Sequence, residues 1–315
     1  MEIDVPLISV GNITVGGTGK TPMVEFLARY FLAEHYRVGL ICSGYGRSCP
    51  ISFVAPGYRV QKIPVSETGD EVQLLATLLP QAVFSVDNSK TRAARNLVAS
   101  TEVDLAILDD GFQHRDLKRD VDIITYDAAV KRKMIKPFPY GILRESLSAL
   151  KRADILVITR SNFARDRTRL EKKLRRINPD VPLYQAQFLI DELIGRNRRL
   201  PVKYLEDKAV FLFAGVGNFE SLRKQVAVLS GHLEYTMELS DHQRYDRKLL
   251  KKIKSLVVKS RSDVIVTTGK DWVKLGDFDF GFEIYYLSQS IDLDPGEEKL
   301  IACLQDMLGL ERRRQ

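Results

Sequence analysis

The run VGNITVGGTGKT, from Val10 to Thr21, constrains this chain more than any other stretch. The apolar residues Val5 to Val10 before it read as a strand, and a helical pattern opens at Pro22, so a glycine loop joins strand to helix. Gly16, Gly17 and Gly19 lack side chains, which lets backbone N–H groups turn inward around a phosphate. Lys20 adds a positive charge and Thr21 a hydroxyl suited to Mg²⁺. Thr14 stands where the common P-loop pattern has glycine, five positions before Gly19, so the motif is a variant. A glycine-rich turn capping an ordinary helix would account for Gly16, Gly17 and Thr18, but not for Gly-Lys-Thr between a strand and an apolar helix. Thr14, Val15, Gly16, Gly17, Thr18, Gly19, Lys20 and Thr21 are therefore the expected nucleoside triphosphate site.

The rest of the chain supplies a sheet for this loop. Strand candidates Leu7 to Val10, Arg37 to Ile41, Ala82 to Val86, Leu105 to Leu108 and Ile123 to Tyr126 alternate with helical patterns at Pro22 to Glu34, Glu71 to Leu79 and Lys90 to Ala99. That alternation predicts a P-loop NTPase-like α/β fold, a parallel sheet sandwiched by helices. Two short alternating runs around Pro56-Gly57-Tyr58 suggest a hairpin within Ser52 to Ile63. A second series follows: Ile155 to Thr159, Leu183 to Phe188, Val210 to Ala214, Val264 to Thr267 and Glu283 to Leu287, with a basic helix at Arg165 to Ile177. The expectation is two α/β lobes with a cleft between them. Residues 1–127 would form the nucleotide lobe and residues 128–315 a smaller lobe completing the acceptor site, with the C-terminal helix free to pack back on the first.

Composition narrows the partners. No run approaches the roughly 18 apolar residues of a membrane span, and MEIDVPLISV lacks signal-peptide features, so a cytosolic protein is expected. Cys42, Cys49 and Cys303 are too few for a disulfide framework and lack zinc-site spacing, which leaves free thiols. The net charge of +7 favours an anionic partner. Basic clusters at Lys131 to Lys133, Arg165 to Arg176, Arg196 to Arg199, Arg247 to Lys254 and Arg312 to Arg314 read either as solvated helix faces or as one surface for anionic lipid or phosphate. No nucleic-acid motif accompanies them, so no nucleic-acid partner is expected.

Leu105 to Leu108 runs into Asp109-Asp110-Gly111, an apolar strand ending in two carboxylates, the arrangement by which P-loop proteins hold Mg²⁺ or its water. A surface turn is the competing reading. Asp70 after Gly69 reads by itself as a helix N-cap, and His242 as a solvated loop histidine. Arg144-Glu145 reads either as an exposed ion pair or as a phosphate grip.

The strings DDGFQH (Asp109 to His114) and GGTGKTP (Gly16 to Pro22) resemble the tetraacyldisaccharide 4′-kinase family. SGYGR (Ser43 to Arg47), TGDE (Thr68 to Glu71), LRES (Leu143 to Ser146), SDH (Ser240 to His242) and TGKD (Thr268 to Asp271) follow in the family's order across nearly the whole chain. The resemblance implies an ATP- and Mg²⁺-dependent kinase of lipid A biosynthesis. It would phosphorylate the 4′-hydroxyl of a tetraacyl disaccharide 1-phosphate on the cytoplasmic face of the inner membrane. The alternative is a P-loop ATPase switch of the partition or metal-chaperone type.

By the same resemblance Lys20 contacts the transferred phosphate, Thr21, Asp109 and Asp110 place the metal, and Gln113, His114, Arg144 and Glu145 meet the acceptor lipid. Asp70 is implied as the base, tuned by His242 and meeting it across the lobes. A monomer working against an anionic membrane is expected. Members usually carry an N-terminal helix ahead of the P-loop strand, whereas only Met1 to Asp4 precede it here. Either the reading frame starts late, or attachment rests on basic helices and exposed apolar residues elsewhere. The family's SRGYG has Arg where Ser43 stands, and Asn88 replaces a frequent Arg.

Overall fold

The computed structural model describes residues 1–48, 51–164, 166–241 and 243–310. Strand β1 (Leu7–Gly11) is wholly buried and leads through the glycine loop into helix α1 (Lys20–Ala33). The buried side of α1 carries Met23, Val24, Leu27, Ala28 and Phe31, a stripe at the helical period, so burial of that face holds it on the sheet. Strands β2 (Val38–Cys42), β3 (Phe53–Pro56), β4 (Val83–Val86), β5 (Leu105–Asp109), β6 (Val121–Asp127), β7 (Ile155–Thr159) and the first half of β8 (Leu183–Ile194) complete this sheet. Their order is β8-β7-β6-β1-β5-β2-β4-β3. All neighbours are parallel except β3, which runs antiparallel to β4 at the edge.

The chain divides into two compact units. The first holds Met1–Thr68, Leu75–Phe188 and Ile291–Gln315; the second holds Gly69–Leu74 and Leu189–Ser290. The first unit runs past residue 127 because β6 pairs with β7 (Ile123 beside Ile155) and β7 with β8 (Leu156 beside Leu183). The sheet that begins at the P-loop thus claims two further strands. The helix Glu297–Leu308 falls in the first unit, with Leu300, Ile301 and Leu304 buried.

The segment at Pro56 is not a hairpin. It is strand β3 followed by one helical turn, Gly57–Val60. Gly57 N donates to Ala82 O at 2.9 Å and Tyr58 N to Pro80 O at 3.0 Å, while Val60 is fully buried. A Cβ at Gly57 would lie 2.4 Å from Leu79 O, so the glycine is there for close approach rather than for a hairpin turn. The helix Lys90–Ser100 approaches β2 just as closely: a Cβ at Gly39 would meet Leu97 at 2.5 Å.

The second unit holds four neighbouring parallel strands, Ala209–Ala214, His232–Glu238, Val264–Thr268 and Glu283–Asp294, with the first two adjacent. Alternation splits its core between two faces. Val210, Leu212 and Ala214 pack with Leu222 and Val226 of the helix Phe219–Leu229. Phe211, Phe213 and Ile265 pack with Leu250, Ile253 and Val257 of the helix Arg247–Ser260.

Beyond β4, Asp87 is almost fully buried (1%) and accepts two bonds from the half-exposed Arg92, at 2.5 and 2.6 Å. Burial alone would raise its pKa. The hydrogen bonds of Arg92, Ser52 and Ser89 N–H, with the charge of Arg92, outweigh burial and hold it below the usual carboxylate value. The folded value is depressed, so the stabilisation is complete above the unfolded carboxylate pKa of about 4 and is lost as pH falls through the folded value. Arg92→Met is expected to lower stability at pH 7, because it leaves the buried Asp87 carboxylate without its guanidinium partner. Denaturant unfolding of the two proteins checks this, and the gap should narrow as pH is lowered.

Candidate functional site

The glycine loop is shaped from behind. Gly16 and Gly19 have φ of 99° and 86°, values a branched residue does not tolerate, and a Cβ at Gly19 would sit 2.2 Å from the Phe188 ring. Thr159 Oγ1 donates to Thr18 O at 2.8 Å, and the Arg160 guanidinium donates to Gly17 O while lying 3.3 Å from Asp127. Carbonyl and N–H point in opposite directions across a planar trans peptide. Tying these two carbonyls back to the end of β7 therefore turns the following N–H groups, those of Thr18 and Gly19, the other way. The Thr18 hydroxyl is itself fixed, receiving Asn12 Nδ2 at 2.9 Å and contacting Thr125 Oγ1 at 2.8 Å. Gly19 caps α1 without a side-chain bond, which suits the helix N-terminus to an anion.

Asp109 ends β5 in register with Val10, so the two carboxylates sit beside the start of the loop. Asp110, at φ 52°, lies 3.5 Å from Lys20 Nζ and 2.8 Å from the Arg144 guanidinium. Burial alone would raise its pKa, but the charges of Lys20 and Arg144 prevail and hold it below the usual carboxylate value. It is ionised at neutral pH. Asp109 is the buried last residue of β5, and the part-exposed Asp110 follows it in a turn.

Arg144 and Glu145 are brought to this place by the preceding segment, which lies along the loop: Arg144 N donates to Ile13 O at 2.8 Å and Val15 N to Ile142 O at 2.7 Å. Gln113 Nε2 donates to Asn12 O at 2.9 Å and to Glu145 Oε1 at 3.1 Å. Glu145 also accepts two bonds of 3.0 Å from Arg152 and one of 2.8 Å from Arg115. Burial would raise its pKa, and these bonds lower it further than burial raises it. Loss of hydration, then the charge of Lys90, pushes His114 below the usual histidine value, so its imidazole is neutral at physiological pH.

Sequence reading missed several of these residues. Lys90 is buried and donates to Asp109 O; as a lone lysine at a helix start it gave no signal. Arg152 lies 4.2 Å over the Phe112 ring and braces Glu145. Thr159 and Arg160 close a strand that was recognised, but nothing in the sequence tied them to the loop. Ser43 and Asn88, where family arginines were expected, are part-buried and exposed; Arg47 donates to Asn88 Oδ1 at 2.9 Å.

The second unit holds a separate charged group. Asp70 is buried at the first residue of the helix Asp70–Leu78, not before it as a cap. Lys274 Nζ lies 3.6 Å from Asp70 and 3.2 Å from Asp271, and Asp271 accepts from Gly215 N at 3.0 Å. Lys270 pairs with Glu71. Burial would lower the pKa of Lys270, and Glu71 more than reverses this, leaving it a cation. The expected partner His242 lies outside the described residues. Asp70 falls in the same unit as Asp241 and Gln243, whereas a meeting across the lobes was expected. Gly69–Leu74 cluster with the later chain.

Arg160→Met is expected to raise the ATP KM about tenfold, the loss of a charge-assisted hydrogen bond, with a smaller change in kcat. Lysine at 160 keeps the charge but not both contacts, and should recover only part. ATP titration of the initial rate checks both.

Residues 1–309 match the family described as tetraacyldisaccharide-1-P 4′-kinase. A tetraacyldisaccharide 4′-kinase of Halothermothrix orenii is 34% identical over 93% of this chain and 81% of its own length. One from Geobacter metallireducens is 36% identical over 87% of this chain and 80% of its own. Among solved structures, LpxK from Aquifex aeolicus, crystallised with ATP, superposes with a TM-score of 0.76 at 28% identity, covering 98% of this chain and 90% of that one.

Proposed function

We propose how this chain works from the premise its relatives supply: it belongs to the tetraacyldisaccharide-1-P 4′-kinase family. It is an ATP-dependent phosphotransferase of lipid A biosynthesis, acting on the 4′-hydroxyl of a tetraacyl disaccharide 1-phosphate. An ATPase switch without an acceptor is not favoured. The observation that carries the residue roles is the convergence of Lys20 and Arg144 on Asp110 beside the glycine loop.

Thr14 to Thr21 hold the triphosphate, with N–H groups turned toward it by Thr159 and Arg160. Lys20 neutralises charge that develops on the transferred group. Phosphoryl transfer demands mainly alignment and neutralisation, and this loop offers both. As Lys20 turns to the phosphate, Arg144 still compensates Asp110, so the exchange leaves no carboxylate bare. Gln113, His114, Arg144 and Glu145 address the acceptor sugar and its phosphate. Glu145 is fixed by Arg152 and Arg115, so it works as a rigid acceptor of hydroxyl hydrogen bonds. Asp70 takes the proton of the 4′-hydroxyl, with His242 as its tuning partner. Oxygen attacks the γ-phosphorus, ADP leaves, and the proton goes to the carboxylate.

Among the described residues no three His, Cys, Asp or Glu side chains cluster as a metal site. An all-oxygen set of Thr21, Asp109 and Asp110, completed by nucleotide phosphates, nevertheless suits Mg²⁺, which takes few protein ligands in such sites. Asp109 closes β5 beside the loop and Asp110 follows it, so both carboxylates lie on the side from which the ion would be held. Bound Mg²⁺ would neutralise phosphate charge during transfer.

We place the chain as a monomer on the cytoplasmic face of the inner membrane, where its acceptor lipid resides. No helix among the described residues is long and apolar enough to cross a membrane. The experiment is γ-labelled ATP with and without acceptor lipid in detergent. Label moving to the lipid in step with ADP supports the reading, and label released as free phosphate regardless of lipid contradicts it.

A further inference from the structure

Lys131 to Tyr140 leads into the Arg144-Glu145 pair, and its tip is unusually apolar for a surface. Phe138 is 70% and Tyr140 86% exposed, with Met134 at 40%. These side chains do not belong to a frayed segment. Phe138 N donates to Leu143 O at 2.9 Å, Gly141 N to Pro137 O at 3.0 Å, Ile142 N to Met134 O at 3.0 Å and Leu143 N to Lys136 O at 2.9 Å. These backbone hydrogen bonds hold the turn that carries two large rings in water. Burying such rings against another phase recovers the hydrophobic free energy that exposure forgoes.

Charge identifies the phase. Lys131, Lys133 and Lys136 are all exposed on the same short segment, and no acidic residue lies between Asp127 and Glu145. Aromatic rings beside lysines, with no acid among them, match the boundary of a bilayer carrying anionic headgroups: rings settle at headgroup level while ammonium groups meet the phosphates. The segment is continuous with the site. A depression of about 390 Å³ is lined by Val15 of the glycine loop, Pro137, Phe138, Leu143, Arg144 and Glu145, and Val15 is itself 41% exposed.

We propose that the segment 131–141 is a membrane-interface anchor. Phe138 and Tyr140 insert into the headgroup layer of an anionic bilayer, and Lys131, Lys133 and Lys136 bind its charge. This deepens the reading of the chain as a lipid kinase: the depression beside the glycine loop is held at the lipid surface, where an acylated sugar arrives without leaving the membrane.

The test is sedimentation of the full chain with vesicles of pure phosphatidylcholine or of phosphatidylcholine with phosphatidylglycerol. It needs neither ATP nor acceptor, so its outcome is separate from the kinase assay. Wild type should bind the anionic vesicles, more weakly as salt rises. K131Q/K133Q/K136Q should bind them about a hundredfold more weakly, roughly fivefold per lysine, and lose most of the salt dependence. F138S/Y140S should lose about tenfold or more on the same vesicles. V228S, altering an 86% exposed valine of the second unit, should bind like wild type. Thermal melts show that each variant is folded. F138S/Y140S binding as wild type does, V228S losing as much as F138S/Y140S, or wild type failing to bind anionic vesicles, as it would if the segment docked a protein instead, overturns the proposal.

Discussion

Lys20→Ala should lower kcat by about a thousandfold and leave the fold intact. The size follows from removing one preorganised positive donor from a phosphoryl-transfer site, worth about 10²–10³ in rate, at the upper end because a full charge is lost. The fold survives because Asp110, the partner of Lys20 at 3.5 Å, keeps its 2.8 Å contact with Arg144. Lys20→Arg should not rescue activity. The wider guanidinium fork would keep the ion pair with Asp110 but cannot act as a compact point charge at the phosphate. Kinase rates beside thermal melts separate the effects: a stable protein with little activity is expected, and a stable protein with near wild-type kcat would remove Lys20 from the chemistry.

Asp70→Asn carries the second large effect. It keeps the shape of a buried side chain and removes its negative charge. A general base contributes about 10²–10⁴ in rate, so kcat should fall by that order while the ATP KM stays nearly unchanged. Lys274 would still hold Asp271 at 3.2 Å, which limits the structural damage. The competing role is architectural. If Asp70 only anchors Lys274 and the first turn of its helix, where its Oδ1 accepts from Glu71 N at 2.9 Å, the variant loses stability but keeps kcat. Kinetics under saturating ATP, with unfolding measured in parallel, separates the two.

The first half of the sheet was legible because parallel strands buried on both faces read as short apolar runs. Leu105 to Leu108 and Ile155 to Thr159 show this, and their ends fall within a residue of the observed strands. Long strands were harder. Leu183–Ile194 and Glu283–Asp294 run about twice as far as expected, since their second halves carry charges such as Asp191, Glu192 and Asp292 that end an apolar pattern without ending a strand. The strand His232–Glu238 escaped notice for the same reason, with only partly buried and exposed positions. At Pro56-Gly57-Tyr58 turn chemistry suggested a hairpin, but packing against Leu79 and Pro80, distant in sequence, decided the outcome.

The site divides along the same line. Local signals revealed the glycine loop and the Asp109-Asp110 pair, because phosphate binding needs particular residues at fixed spacing. What shapes that loop was invisible: Thr159 and Arg160 act on Gly17 and Thr18 from more than 140 residues away. No single-sequence pattern encodes that contact. Arg144 and Glu145 lay between, named through resemblance, with a physical reason only once Asp110 and Gln113 were seen beside them.

The central claim is best tested by where the new phosphate sits. Phosphorus NMR of the lipid product, correlated with the sugar protons, should show one new monoester on the 4′ carbon for wild type and none for Lys20→Ala. Phosphate added to the existing 1-phosphate, or appearing only as the free ion, would contradict the account.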